Sequence, residues 1–197
     1  MKLHVSRKHL SRDRISTLEP SLVRQCWNGE PLEPPFEWVL ACDPERLWFW
    51  GRISGAASFD QSNSRGSFVE GLWERDVAEF FMMDAGGRYQ EFNVSPSGAW
   101  WSCGFSAYRE RMTESPVPSD VFADAVVRPA CWEVVFSVPV RELLIPLDAV
   151  AGVHVSSIVR CPTTKYLSSR PIVGATPDFH DWRCFAPVER INHVAPT

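Results

Sequence analysis

Sixteen prolines are scattered along this chain, and the apolar residues between them come in short runs rather than in long stripes of helical period. A proline inside a helix removes a backbone donor and clashes with the preceding turn, so few stretches have room for a helix of useful length. The runs themselves alternate apolar and polar residues with a period of two, the mark of strands that bury one face. A length of 197 residues suffices for one sizeable core. The expectation is an all-β fold, a two-sheet β-sandwich or jelly-roll-like fold with a concave ligand face on one sheet.

Strands are expected over 23–27, 36–42, 47–53, 76–83, 88–95, 99–105, 131–138, 153–159 and 183–190. The turn signals Asn28–Gly29, Gly86–Gly87 and Pro96–Ser97–Gly98 separate several of them. Pro31, Pro34 and Pro35 are expected to interrupt regular pairing. The interval 108–129 reads as an irregular crossing or partial helix. In the strand over 88–95, Phe92 and Val94 share the face that suits a core. Tyr89, Glu91 and Asn93 share the opposite face, which can meet water or a polar ligand. In the strand over 131–138, Trp132, Val134, Phe136 and Val138 form a core face.

The first fourteen residues, MKLHVSRKHLSRDR, are locally basic and carry no apolar h-region, so they do not read as a secretory signal. Residues 1–20 are expected as a flexible or peripheral segment and 21–197 as a single domain, in a cytoplasmic protein. The six cysteines are widely spaced and form no CxxC pair, which suits free thiols better than a zinc site. No metal and no cofactor is expected. A net charge of −4 points away from nucleic acid and anionic membrane. No apolar stretch approaches the twenty residues of a membrane span. A protein partner is not specified by anything in the sequence.

Aromatic composition supplies the functional lead. Nine Trp stand beside twelve Phe and only three Tyr. An indole N–H asks for a partner, so some of the nine are expected at a cleft or rim. Four ordered blocks narrow the choice: LWERDVAEFFMM at 72–83, YQEFNVSPSGAW at 89–100, FSAYRERM at 105–112 and PDFHDWRCF at 177–185. Together they resemble the bacterial DOMON-like proteins, which are related to the family 9 carbohydrate-binding modules. The resemblance implies a β-sandwich with a ligand-facing concavity. It departs from the family pattern at Asp76–Val77–Ala78–Glu79, where a TCFE-like sequence is usual. It departs again at Tyr166–Leu167, where a Tyr–Trp pair is usual.

By that resemblance Trp73 is a stacking platform, Arg75 and Glu91 bind hydroxyls, and Glu79 and Asn93 bind or brace. Trp100, Tyr166 and Trp182 are candidates for a second aromatic wall, and His180 for a residue of the same loop. The expected function is a non-catalytic module binding a carbohydrate or another small polar organic ligand. One alternative is a scaffold or protein-interaction β-sandwich using Trp48 with Trp50, or Trp100 with Trp101. Another is a haem-binding DOMON domain using Met82, Met83, His154 or His180. Catalysis has little support, since GxSxG, HExxH and GxGxxG are all missing. Hydrolysis would require Glu79 and Glu91 to face one another across a cleft.

Overall fold

The computed structural model describes residues 1–171 and 176–193. Alternation builds two sheets of seven strands each. The first contains β1 (Lys2–Ser6), β2 (Ser21–Gln25), β3 (Pro31–Cys42) and β4 (Arg46–Ser54). The second is built from β5 (Val77–Asp84), β6 (Tyr89–Val94), β7 (Trp100–Ala107) and β8 (Glu110–Arg111). The chain then returns to the first sheet through β9 (Phe122–Arg128) and β10 (Cys131–Pro139). It crosses back to the second for β11 (Val150–Val159), β12 (Lys165–Ser168) and β13 (Ala186–Pro187), and ends in the first with β14 (Glu189–His193).

The strand order is β14-β1-β3-β4-β10-β9 in the first sheet, with β2 also paired to β3. It is β12-β11-β5-β6-β7-β8 in the second, with β13 also paired to β11. Pairing is antiparallel except where β1 lies parallel to both β14 and β3. The all-β sandwich expected from the sequence is therefore the observed architecture.

Residues facing between the sheets form the main core. Phe36, Trp38, Phe49, Trp132 and Phe136 come from the first sheet, and Phe80, Phe92 and Trp100 from the second. Phe80 stacks on Phe92 with ring centroids 4.6 Å apart and meets Phe49 across the core at 4.9 Å. The expected core face of β10 (Trp132, Val134, Phe136, Val138) lies in this cluster, as do Phe92 and Val94.

Several expectations are corrected. The interval 108–129 contains β9, an edge strand paired to β10. Its inward residues are Ala123 and Ala125, and small side chains give too weak an alternation to stand out. The stretch 183–190 is not one strand: a 3-10 turn at Trp182–Cys184 precedes the short β13 and β14.

The first twenty residues, expected as flexible or peripheral, include β1 and a single helical turn, α1 (Arg12–Ile15). Ile15 is fully buried and, with Leu10 and Leu18, covers Val39, Ala41, Trp48, Trp50 and Val135 on the outer face of the first sheet. Asp43 ties this cover down by accepting from Leu10 N at 2.8 Å and from Trp48 Nε1 at 3.1 Å. Arg12 of α1 and Arg65 both pair with the buried Asp124. Neither Trp48 with Trp50 nor Trp100 with Trp101 forms an exposed patch, since all four are buried. The partner surface expected from those pairs is absent because each ring has its own cover within the chain.

Candidate ligand-binding site

The second sheet buries its inner face in the main core, and its outer face carries a separate cluster of side chains. Alternation decides which residues arrive there. On β5, Ala78, Phe80 and Met82 point inward, so Val77, Glu79, Phe81 and Met83 point outward. On β6 the outward set is Tyr89, Glu91 and Asn93, and on β7 it is Trp101, Cys103 and Phe105. The register places Glu79 opposite Asn93, and Phe81 opposite Glu91. Glu79 and Glu91 are therefore diagonal neighbours on one face, within reach of each other. The tight turn that sets this register needs Gly87, at φ +87°, while Asp84 accepts from Gly86 N at 2.8 Å and Arg88 N at 3.0 Å.

Above these strands lies a cavity of about 320 Å³. Glu79, Glu91, Phe81 and Phe105 line it from the sheet. Trp73, Trp101, Tyr166, Phe179 and Ile158 form apolar walls, and Arg109, Arg111, Pro177 and His180 complete the lining. Trp73 meets Trp101 edge to face, with ring centroids 5.1 Å apart. The Arg111 guanidinium lies 5.7 Å from the Trp73 ring and 5.0 Å from the Trp101 ring. Cations at that distance are attracted by the ring face.

Each carboxyl on the floor has one oxygen occupied. Ser156 Oγ donates to Glu79 Oε2 at 2.9 Å, and Asn93 Nδ2 donates to Glu91 Oε1 at 3.0 Å. Burial holds the protons of both glutamates well above the ordinary carboxylate range. For Glu79 the negative charge of Glu91 adds to burial, with Ser156 and Arg160 opposing. For Glu91, Asn93, Arg111 and Arg109 oppose burial.

His180 sits against Phe81, Tyr89 and Phe105, and burial with the nearby Arg109 charge pulls its pKa down to about 4. It is neutral at pH 7. Its Nδ1 lies 2.9 Å from the Tyr89 hydroxyl, which also accepts from Arg109 N at 3.0 Å. With the hydroxyl proton given to Nδ1, the protonated Nε2 faces Glu91 Oε2 at 3.8 Å.

Of the residues expected at the site, Trp73, Glu79, Glu91, Tyr166 and His180 are brought together around the cavity. Asn93 lies beneath it as the brace of Glu91. Three are placed elsewhere. Arg75 is exposed and outside the lining, because Trp73 belongs to a 3-10 turn at Leu72–Glu74 and not to a strand. Strand alternation thus never carries Arg75 to the same face. Trp100 belongs to the main core, where its Nε1 donates to Gly66 O at 3.1 Å. Trp182 is 71% exposed and borders a different, open groove beside the β5–β6 turn.

Sequence reasoning missed Trp101, Phe179, Arg109 and Arg111 as lining residues. Trp101 was half visible as the out-of-phase member of a Trp pair. The arginines come from the short β7–β8 hairpin, where Arg109 adopts φ +56°. That region is uncommon for a residue other than glycine. Arg109 is held there by Tyr89 and by Asp178, which accepts from its Nη2 at 2.9 Å. The PDFH segment, read for its His, also supplies this aspartate.

Three of the four side chains in the haem alternative, Met82, His154 and His180, are engaged within the fold. Met82 is in the main core. His154 Nδ1 meets Phe179 O at 3.2 Å, and that carbonyl can only accept, so Nδ1 carries the proton. Its Nε2 is then the acceptor for Ser168 Oγ at 3.0 Å. Burial lowers the His154 pKa to about 3, so it is neutral. Glu79 and Glu91 share one floor and do not face each other across a cleft, the arrangement glycoside hydrolysis uses. Among the described residues no cluster of three or more His, Cys, Asp or Glu could hold a metal ion. Among the described residues no helix is long and apolar enough to cross a membrane.

No protein-family model and no curated protein sequence matches the chain. Solved structures do. A protein from Bacteroides uniformis, provisionally described as carbohydrate-binding, superposes with a TM-score of 0.68 at 20% identity, over 89% of this chain and 88% of its own. A family 9 carbohydrate-binding module from Caldicellulosiruptor kristjanssonii in complex with glucose superposes with a TM-score of 0.62 at 8% identity, over 100% of this chain and 99% of its own. A family 9 module from the same organism in complex with cellotriose gives 0.57 at 10% identity, over 99% and 96%. At these identities the likeness concerns architecture: the chain is built on the β-sandwich of the family 9 carbohydrate-binding modules.

Proposed function

We propose that the protein is a non-catalytic carbohydrate-binding module whose ligand occupies the cavity over the second sheet, and that it belongs with the bacterial DOMON-like proteins its four sequence blocks resemble. The observation that carries this reading is the pairing of aromatic walls with convergent polar groups in one cavity. Trp73 and Tyr166 offer flat apolar surface to sugar C–H faces, while Glu79, Glu91, Arg109, Arg111 and His180 offer hydrogen bonds to hydroxyls. A volume of about 320 Å³ lies at the small end of ligand pockets, roughly 300–1,000 Å³, and suits one or two sugar rings better than a long chain. Two structural neighbours hold glucose and cellotriose, which supports a saccharide over other polar ligands.

Calorimetric titration with a panel of mono- and oligosaccharides tests the reading. Saturable binding is expected, and Trp73→Ala is expected to weaken it by about 30-fold, the equivalent of roughly 2 kcal/mol of lost apolar contact. Trp73 is only half-buried, so the variant should fold. Absence of saturable binding across the panel, or unchanged affinity in Trp73→Ala, would refute the assignment.

A further inference from the structure

The charges around the cavity are unevenly matched. On the rim, Arg109 pairs with Asp178 at 2.9 Å and Arg111 with Glu70 at 2.5 Å, so each cation has its own carboxylate. On the floor, Glu79 and Glu91 are 3% and 5% exposed, and no arginine or lysine among the described residues forms an ion pair with either. Glu79 Oε1 has no hydrogen-bond donor among the described residues. Glu91 Oε2 has only the neutral His180 ring, at 3.8 Å, beyond hydrogen-bond length. The cavity thus ends in two buried carboxyls, each with one oxygen fixed from behind by Ser156 or Asn93 and the other left for whatever enters.

We infer that the ligand is an amino sugar whose protonated amine sits between Glu79 and Glu91, an inference that rests on the saccharide reading above. Buried carboxylates are costly unless a positive charge and hydrogen bonds reach them. An ammonium supplies three donors and the charge, a hydroxyl supplies one donor and no charge, and an acetamide supplies one donor and added bulk. The other titratable groups near the floor do not replace that cation. The Arg160 guanidinium forms no ion pair with either carboxyl and donates through Nη2 to Trp73 O at 2.8 Å, and Tyr89 and Cys103, whose protons burial holds, are neutral at pH 7. The aromatic walls would hold the ring while the carboxyls select the substituent.

The test is titration of the intact chain with D-glucosamine, D-glucose and N-acetyl-D-glucosamine at about pH 7, where the amine is still largely protonated and its entry displaces the protons that burial holds on the two carboxyls. Glucosamine should bind at least about tenfold more tightly than both others. That preference should vanish at about pH 9, where the amine is neutral. In Glu79→Gln the ratio of glucosamine to glucose affinity should fall toward one. The wild-type pH comparison decides the matter even if that variant does not fold. Equal or weaker binding of glucosamine, or a preference that persists at the higher pH, overturns the inference while leaving the saccharide reading intact. No binding of any sugar overturns both.

Discussion

Glu79 and Glu91 show how far residue-scale reasoning reaches. Alternation placed Glu91 on an outward face and the family resemblance singled out Glu79, and the structure puts both on one cavity floor. What alternation could not supply was their burial, which comes from Trp73, Phe179 and His180 closing over them from distant parts of the chain. Burial also sets their pH behaviour. Both carboxyls have pKa values raised in the fold, so their contribution to stability is full below the unfolded value of about 4.3 and is lost as pH rises toward about 8, the value for Glu79. Thermal melts of the ligand-free protein should therefore show stability falling across that window. Glu79→Gln should flatten the decline and be the more stable protein at its upper end, by on the order of 1–3 kcal/mol. A wild-type melting profile unchanged across the window would contradict the burial of an uncompensated pair.

At the scale of elements, the successes and failures have a common cause. Strands with large inward residues, such as β6 and β10, were legible because alternation is strong where Phe, Val and Trp meet polar neighbours. The edge strand β9 was not, because Ala123 and Ala125 do its packing. Arg75 was assigned by resemblance to a block whose first residues form a 3-10 turn, and that turn leaves its side chain exposed outside the cavity. The N-terminal segment carries few apolar residues, yet Leu10, Ile15 and Leu18 together cover Trp48 and Trp50. Ile15 is fully buried, so Ile15→Ala should destabilise the fold by about 2–5 kcal/mol in chemical denaturation. It should also shift the tryptophan emission, because Trp48 and Trp50 lose their cover. Saccharide binding should persist in this variant, since Ile15 packs on the first sheet and the cavity lies on the outer face of the second. A variant as stable as the wild type would mean that this segment lies on the sheet without belonging to the core.

At the scale of the whole molecule, the two sheets are joined by one aromatic core. Phe136 of the first sheet contacts Phe80 and Phe92 of the second, with centroids at 5.8 and 5.5 Å. Phe136→Ala should remove about 3–5 kcal/mol, and circular dichroism and tryptophan fluorescence should still report one coincident transition. Separate transitions would show that the sheets unfold independently. The amino-acid sequence by itself determined the β architecture, the inward face of its main strands, and the outward face that carries Tyr89, Glu91 and Asn93. These follow from local periodicity and turn chemistry, which act over a few residues. Only the tertiary structure decided which aromatics close the cavity and which fill the core. It separated Trp101 from Trp100, drew in Arg109, Arg111 and Phe179, and left Trp182 outside. Those outcomes depend on loops that cross the sheet from far along the chain, and their positions are set by packing and ion pairs with no signature in local spacing.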